Sequence, residues 1–361
     1  MAASDRLPAS AVLSPEQLRA TAESIAAEQW ADGGIPWFRG GHLDPWDHVE
    51  AAMALSAAGL TDAATAAYTY CAATQRPDGS WPMIVRTGGV EDAAADTNQC
   101  AYIAVGVWHH YLVTADAGFL TAMWSTVRRA IDYVLGVQRP GGELAWAVNA
   151  YGVPETEALL TGSASVVQSL RCACAIATAL GLEPLRWRRA AARLAHAVRA
   201  HPELFADRSR WSMDWYYPVL TGAVRGSAGQ QLLAHGWRTF VSPGWGVRCV
   251  SDRPWYTVAE SCELVLALHA VGDVARGRKV FADVQHLRAA DGGYWTGYVV
   301  DEELVWPEER TTWTAAAVIL AADALTGTTP AADLFRDAGP LDDEDAGCGC
   351  LTAGGREETL G

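Results

Sequence analysis

The stretch Asp47–Thr74, DHVEAAMALSAAGLTDAATAAYTYCAAT, contains the unit from which the fold can be predicted. Its first part is apolar or small on nearly every side, which is typical of a buried helix, whereas its last part carries polar residues on one side, which is typical of a helix with one face in water. Only a short connection separates the two parts. Thr61 is the expected N-cap of the second helix, as Ser14 is of the helix that begins at Pro15. The stretch therefore predicts a helical hairpin.

The same alternation of two kinds of helix continues along the chain. The amphipathic helices are expected at Pro15–Glu28, Asp62–Thr74, Phe119–Val137, Leu185–Ala200, Gly226–Thr239 and Val274–Arg288. The apolar helices are expected at Asp47–Ala58, Thr97–Leu112, Ser163–Leu180, Asp214–Val224, Thr257–Ala270 and Thr311–Leu325. Strand signals are weak throughout. Six hairpins that hide their apolar helices in an inner layer predict an all-α fold, a single-domain (α/α)6 toroid over residues 15–336.

The loops differ in length in a regular way. Connections from an inner to an outer helix are short, whereas those from an outer to an inner helix are long and rich in tryptophan, glycine and acids. Examples of the long loops are 31–46, 78–96, 140–160, 242–255 and 289–310. All the long loops then lie on one face, at the N-terminal ends of the inner helices. Because function concentrates in loops held on a rigid scaffold, this loop face is the expected site.

Composition narrows the class of protein. The formal net charge is −15, and residues 337–361, with seven acids and one base, carry −6 of it. An acidic body argues against nucleic acid and anionic membranes as partners. No apolar run is long enough to span a membrane, no basic-then-apolar signal opens the chain, and most cysteines lie in apolar helical runs, so a cytoplasmic protein with a small-molecule substrate is expected.

Both ends of the chain are expected to lie outside the toroid. Residues 1–14 form an N-terminal extension. Residues 337–361 form an acidic, glycine-rich tail that is expected to be disordered, because it has too few large apolar residues to offset its ordering entropy. No motif for a metal or a cofactor is recognised.

Four outer helices end in a related phrase. The phrases are Gln29-Trp30-Ala31-Asp32-Gly33-Gly34, Gln75-Arg76-Pro77-Asp78-Gly79-Ser80-Trp81, Gln138-Arg139-Pro140-Gly141-Gly142 and Gln285 followed by Asp291-Gly292-Gly293-Tyr294-Trp295. The glutamine can cap the helix end, the glycines supply the positive φ of a tight turn, and the tryptophan packs back over it. This pattern resembles the Q-W repeats of the terpenoid cyclase and prenyltransferase superfamily, whose fold is the same toroid.

The chain departs from that superfamily where its chemistry is concerned. The acidic stretch Glu91–Asp96 reads EDAAAD and not DxDD, the zinc ligands of protein prenyltransferases have no counterpart, and there is no DDxxD site. The leading interpretation is nevertheless a prenyltransferase-like or terpene cyclase-like enzyme that acts on an isoprenoid or similar small molecule in an acid- and tryptophan-lined pocket.

A second resemblance leads to a different activity on the same fold. Tyr111–Asp116 with the following Phe119-Leu120 and Met123-Trp124, and Asp44-Pro45-Trp46-Asp47, are similar to segments of six-hairpin, glucoamylase-like glycosidases. The alternative is therefore a carbohydrate-active enzyme with two carboxylates as acid and base. A third possibility is a non-catalytic protein that binds an isoprenoid or a sugar, since fold does not settle function.

Carboxylates near the starts of the inner helices are the candidate catalytic groups. They are Asp44, Asp47, Asp92, Asp214, Glu260 and Glu308. Helix N-capping is the competing explanation for one of the pair Asp44 and Asp47, for Asp214 and for Asp96, because a capping aspartate needs no further role. Glu260 is unusual within an apolar helix, since glutamate is seldom buried without a partner.

Aromatic side chains concentrate on the same face. Eleven of the sixteen tryptophans fall in the long loops or in the first helical turn after them. Core packing alone would spread them among the helices, so the skew favours a ligand pocket. The candidate substrate-binding residues are Trp37, Trp46, His48, Trp81, Trp211, Trp215, Tyr216, Arg248, Asp252, Arg253, Trp255, Trp295 and Trp313.

Overall fold

The computed structural model describes residues 12–336. Within that range two concentric layers of helices alternate along the chain. The outer helices are α1 (Pro15–Ala26), α3 (Thr61–Thr74), α6 (Ala117–Leu135), α8 (Leu185–Ala200), α10 (Gly226–Phe240) and α12 (Val274–Asp283). The inner helices are α2 (Pro45–Ala57), α4 (Thr97–Ala101) with α5 (Ile103–Thr114), α7 (Leu160–Ala179), α9 (Ser212–Leu220), α11 (Val258–Ala270) and α13 (Thr312–Thr326).

The inner helices form a closed ring. Each packs against the next in the order α2, α5, α7, α9, α11 and α13, and α13 packs against α2. Most residues of these inner helices are buried, whereas the outer helices bury one side. The predicted (α/α)6 toroid is confirmed, and the N-terminal ends of all inner helices share one face with the long loops.

The structure corrects several local expectations. Nine short strands, β1 to β9, occur in the loops among the described residues: Ile84–Arg86, Gly89–Asp92, Ala95–Asp96, Ala147–Val148, Val241–Ser242, Gly246–Arg248, Trp255–Thr257, Gly297–Val299 and Leu304–Val305. β5 to β9 form one antiparallel sheet in sequential order. Strands of two to four residues are too short to show a period of two in sequence, which explains why they were not predicted.

Helix ends also differ from expectation in places. Ser14 caps α1 as predicted, but the Thr61 prediction is wrong, because Thr61 is the first residue of α3 and Leu60 occupies the N-cap. The expected helix Thr97–Leu112 is broken at Tyr102 into α4 and α5. The N-terminal extension is described only from residue 12, and the predicted disordered tail, 337–361, lies outside the described residues.

The repeated glutamine–glycine phrase builds one kind of turn. Gln75 Nε2 donates to the carbonyl of Gly79 in its own turn, at 2.8 Å, and to the carbonyl of Thr126 on the next outer helix, at 3.0 Å. Gln29 and Gln138 make the same pair of bonds to their own turns and to α3 and α8. Each of these three phrases thus connects one outer helix to the next, whereas the amide of Gln285 donates to the Phe281 carbonyl of the preceding helix α12.

The last of these turns closes the ring. Gly292 has a φ of +95° and lies so close to α1 that an added Cβ would be 2.5 Å from the backbone carbonyl of Ala20. Thr21 also donates its hydroxyl to the Gly292 carbonyl, at 2.8 Å. The end of the sixth hairpin therefore packs on the first outer helix. The described residues contain no helix long and apolar enough to cross a membrane.

Candidate active site

Three of the predicted carboxyl groups occupy equivalent places in the ring. Asp47, Asp214 and Glu260 are each the third residue of an inner helix, in α2, α9 and α11 respectively. Because the inner helices all begin on the loop face, the three residues lie at one depth, in the first turn below that face. Asp47 and Glu260 lie on α2 and α11, the two inner helices that flank α13.

Asp44 caps helix α2, so Asp47 is not needed as its N-cap. Asp44 is the N-cap of α2, and its Oδ1 accepts hydrogen bonds from the backbone N–H of Trp46 and of Asp47, at 2.9 and 3.0 Å. Its Oδ2 accepts from the indole N–H of Trp37, at 2.6 Å. Burial raises the pKa of Asp44, against the lowering effect of these bonds. Capping is therefore carried by Asp44, which is one of the two outcomes expected for this pair.

Asp47 is buried without a structural partner for one oxygen. It is 6% exposed, and its Oδ2 has no hydrogen-bond partner among the described residues. Burial raises the pKa of Asp47 well above its ordinary value, and the charges of Asp44, Glu50 and Glu263 raise it further. A carboxyl group that keeps its proton at neutral pH can act as a general acid.

A second acidic layer, which was not among the predicted site residues, lies one turn deeper. Glu50 and Glu263 are both 2% exposed. Glu50 accepts a hydrogen bond from the Tyr102 hydroxyl at 3.3 Å, and Glu263 accepts from the hydroxyls of Tyr217, at 2.6 Å, and Tyr216. Burial raises the pKa of both carboxyl groups, and for Glu50 the charge of Glu263 raises it further.

A sequence signal for this layer exists. Each member follows a first-turn acid by three residues, Glu50 after Asp47 and Glu263 after Glu260, and residues three apart share a helix face. Both glutamates also interrupt an apolar helix, where an acid is expected to be paired. The tyrosines that pair them come from other helices, so the pairing itself was not predictable.

Indole rings meet at the starts of the inner helices α2 and α13. Trp46 stacks on Tyr102 with 4.7 Å between ring centroids and meets Trp313 edge-on at 5.9 Å. The indole N–H groups of Trp46 and Trp313 are buried and have no acceptor among the described residues. Because an unpaired buried donor costs about 1–3 kcal/mol, these N–H groups point to a ligand or water that completes their bonding. Tyr216, also predicted, contacts the site through Glu263.

Several predicted residues have partners elsewhere. His48 uses both ring nitrogens on backbone groups, accepting from the N–H of Ile35 and bonding the carbonyl of Ala67, each at 3.0 Å. Burial lowers the pKa of His48 to about 4, so it is a neutral structural residue. Trp81 donates its indole N–H to the Cys71 carbonyl at 3.0 Å and packs in the core. The contacts of His48 and Trp81 are structural and do not support a role in substrate binding.

The remaining predictions fall on the outer part of the loop face. Asp92 accepts a local bond from Ala94 in the β2 hairpin, and Glu308 is exposed. Asp252 pairs with Arg210 at 2.8 Å and Arg253 is exposed, so neither supports a buried anion site. The other predicted binding residues on this part of the loop face each contact an aromatic or arginine neighbour at the surface. They are Arg248, Trp211, Trp255 and Trp295.

Asp214 and Trp215 line a separate cleft. Asp214 is not an N-cap, because α9 begins two residues earlier than expected. Its Oδ1 accepts from the hydroxyl of Thr161 at 2.5 Å, and burial raises its pKa. Asp214 and Trp215 contribute to the lining of this cleft, which contains none of the buried carboxyl groups of the central site.

The chain is similar to known carbohydrate-active proteins. No protein-family model matches it. It is 57% identical, over 325 residues that cover 90% of each chain, to the MMP endo-(1,4)-3-O-methyl-alpha-D-mannosidase of Mycolicibacterium hassiacum.

Solved structures of glycosidases share its fold. A glycosidase in complex with glucose is 17% identical with a TM-score of 0.68, and covers 87% of this chain and 96% of its own. The GH63 mannosylglycerate hydrolase from Thermus thermophilus is 13% identical with a TM-score of 0.64, and covers 84% of this chain and 99% of its own. These comparisons support the glycosidase resemblance and not the terpenoid cyclase one, whose phrases belong to the shared toroid.

Proposed function

The chain belongs to the glycoside hydrolase family of the M. hassiacum mannosidase, and from this premise we propose that it hydrolyses internal α-(1,4) bonds in chains of 3-O-methylmannose. The observation that carries the proposal within the structure is the buried Asp47 carboxyl, whose Oδ2 has no partner among the described residues, in the same helical turn as Trp46, whose indole N–H, like that of Trp313, also has none there. A proton donor next to hydrogen-bond donors and apolar ring surface suits a sugar that carries methyl ethers.

In this proposal Asp47 is the general acid. Hydrolysis of a glycosidic bond needs a carboxylic acid that protonates the leaving oxygen as the bond breaks. Burial and three neighbouring carboxyl groups raise the pKa of Asp47 well above its ordinary value and so favour the protonated form that this role requires. After the proton has left, burial and the neighbouring carboxyl groups destabilise the carboxylate of Asp47, which favours its reprotonation from solvent before the next turnover.

The second carboxylate comes from α11. Glycosidases use it either to activate a water molecule or to attack the sugar carbon. Glu263 is the better supported of the two glutamates on this helix, because its charge acts on Asp47 and two tyrosine hydroxyls hold its oxygens in place. Burial raises the pKa of Glu263 to about 8, and the two hydroxyl donors oppose that rise, so the ionised form that this role requires becomes more populated as the pH rises towards 8. Glu260, one turn nearer the loop face, is the alternative.

Substitutions that keep shape but remove the carboxyl test this assignment. On an α-(1,4)-linked 3-O-methylmannose oligosaccharide, Asp47→Asn and Glu263→Gln are each expected to lower kcat by roughly 10²–10⁴-fold, because an amide cannot exchange the proton. Glu260→Gln is expected to lower it less than Glu263→Gln does. The matched control is Asp62→Asn, at an exposed aspartate on outer helix α3. Turnover near that of the wild type in both Asp47→Asn and Glu263→Gln would rule out the proposed pair.

A further inference from the structure

A second concave site lies on the loop face, beside the ring of inner helices. It is a cleft of about 530 Å³, within the range of roughly 300–1,000 Å³ that is typical of ligand pockets. Its walls come from the starts of α7 and α9, the end of α10 and the loop that follows α8. The proposed function does not use this cleft.

The floor of the cleft is a fixed aromatic surface. Trp215 stacks on Phe240 with 5.4 Å between ring centroids and an angle of 16°, and its indole N–H donates to the Leu232 carbonyl at 2.9 Å. Gly236 makes this close packing possible, since an added Cβ would be 2.4 Å from the indole nitrogen. The Trp215 ring is therefore held against α10 before any ligand arrives, and because it is only 7% exposed it supports the cleft from beneath, while the half-buried Phe205 offers the aromatic surface that a ligand can contact.

Charged groups surround this apolar floor. Asp214, Asp207, Arg208 and His235 line the cleft together with the half-buried Phe205. Carboxylates accept hydrogen bonds from sugar hydroxyls, and a guanidinium donates to sugar oxygens. Aromatic surface accepts the apolar C–H face of a sugar ring, and a methyl ether adds to that face. The chemistry of the lining therefore fits a partly methylated saccharide.

The cleft and the central site share one helix. Trp215 lies in the cleft, and the next residue, Tyr216, donates its hydroxyl to Glu263 in the central site. Consecutive Cα atoms are about 3.8 Å apart. The cleft and the central site are thus connected through one turn of α9, so a chain that extends from the central site over the start of α9 can reach the cleft.

We propose that this cleft is a distal subsite, which binds a part of the 3-O-methylmannose chain several sugar units away from the bond that is cleaved. The inference rests on the proposed function for the identity of the chain. Such a subsite increases affinity only for substrates that are long enough to occupy both places at once, by the gain of linked binding sites.

Chain-length dependence of hydrolysis is the first test. Arg208→Ala and Phe205→Ala, in the full chain, are expected to raise KM for a 3-O-methylmannose octasaccharide about tenfold, equivalent to about 1.4 kcal/mol, with little change in kcat. Hydrolysis of the trisaccharide is expected to stay unchanged. Arg238→Ala is the matched control, because Arg238 is an exposed arginine on α10 that does not line the cleft. Equal effects on both substrates, or none on either, would overturn the inference.

Binding without turnover separates the inference from the proposed function. Calorimetric titration of the octasaccharide into Asp47→Asn protein is expected to show binding that Arg208→Ala weakens about tenfold, with the melting temperature unchanged. If this result is found but the wild type cleaves no methylmannan, the subsite stands and the proposed hydrolysis fails. If hydrolysis is normal but the cleft variant binds as tightly as its parent, the subsite fails and the hydrolysis stands. If the parent binds no octasaccharide, the subsite is refuted.

Discussion

At the scale of one residue, the burial of Asp47 favours its proposed role as a general acid but lowers the stability of the folded protein at high pH. Its pKa in the folded protein is raised well above the ordinary value of 3.8 by burial and by neighbouring carboxyl groups. The folded state therefore binds a proton that the unfolded state has already released once the pH exceeds about 4. The stability that Asp47 contributes is fully present below that pH and is lost as the pH rises through its folded pKa.

This sign gives a prediction for Asp47→Asn. The asparagine cannot ionise, so the variant avoids the cost of burying a charge at high pH. Its free energy of unfolding is expected to exceed that of the wild type by about 1–3 kcal/mol at about pH 8 and to match it near pH 4. Urea unfolding at the two pH values measures this difference. Asp62→Asn, at an exposed position, serves as the control and is expected to show no such pH dependence. A variant less stable than the wild type at the higher pH would contradict the argument.

The candidate site was only partly predictable at this scale, for physical reasons. Asp47, Trp46 and Trp313 could be found because they follow long loops at the start of inner helices, a position visible in sequence. Glu50 and Glu263 have a sequence signal in their spacing from Asp47 and Glu260, but the tyrosine hydroxyls that pair them come from other helices and could not be predicted. The prediction for His48 rested on its place beside Asp47, but a sequence does not tell which way a helix side chain faces while its neighbours are unknown.

At the scale of the secondary-structure element, the hairpin alternation was predictable and the turn geometry explains why. The glutamine–glycine turn recurs because each outer helix must end against the next one. Gly79 has a φ of +101°, and an added Cβ would lie 2.3 Å from the carbonyl oxygen of Arg129 on α6. Both the backbone conformation and the close approach require glycine here. The short strands of the loops, in contrast, arise from pairing between segments that local sequence does not specify.

The turn gives a second prediction, for Gly79→Ala. The methyl group forces α6 away from the turn and strains a left-handed backbone, so the free energy of unfolding is expected to fall by roughly 2–4 kcal/mol. The control is Gly88→Ala, in the β1–β2 hairpin, where an added Cβ meets nothing within 4 Å. Thermal unfolding compares the two variants. The interpretation of the turn fails if Gly79→Ala is as stable as Gly88→Ala.

At the scale of the whole molecule, the chain after α13 closes the end of the ring opposite the loop face. His269 Nε2 lies 2.8 Å from Asp333 Oδ1, and Gln168 Nε2 donates to the Leu334 carbonyl at 3.2 Å. Phe335 is buried and lines a small cavity together with Glu50 and Glu263. The segment 329–336 therefore packs beneath the acidic layer, and this contact between segments far apart in the sequence could not be predicted from periodicity.

Two truncations separate this segment from the tail beyond it. A chain that ends at Thr328 loses the buried side chains of Leu334 and Phe335, so its melting temperature is expected to fall by roughly 5–10 °C. Its turnover is also expected to fall, because the cavity under Glu50 and Glu263 is opened to water. A chain that ends at Leu341 keeps those contacts and lacks only 342–361, an acidic, glycine-rich stretch with little apolar surface to bury, so its melting temperature is expected to stay unchanged. Scanning calorimetry of both chains beside the full-length protein tests the argument. It fails if the shorter chain melts with the full-length protein, or if the longer one melts several degrees below it.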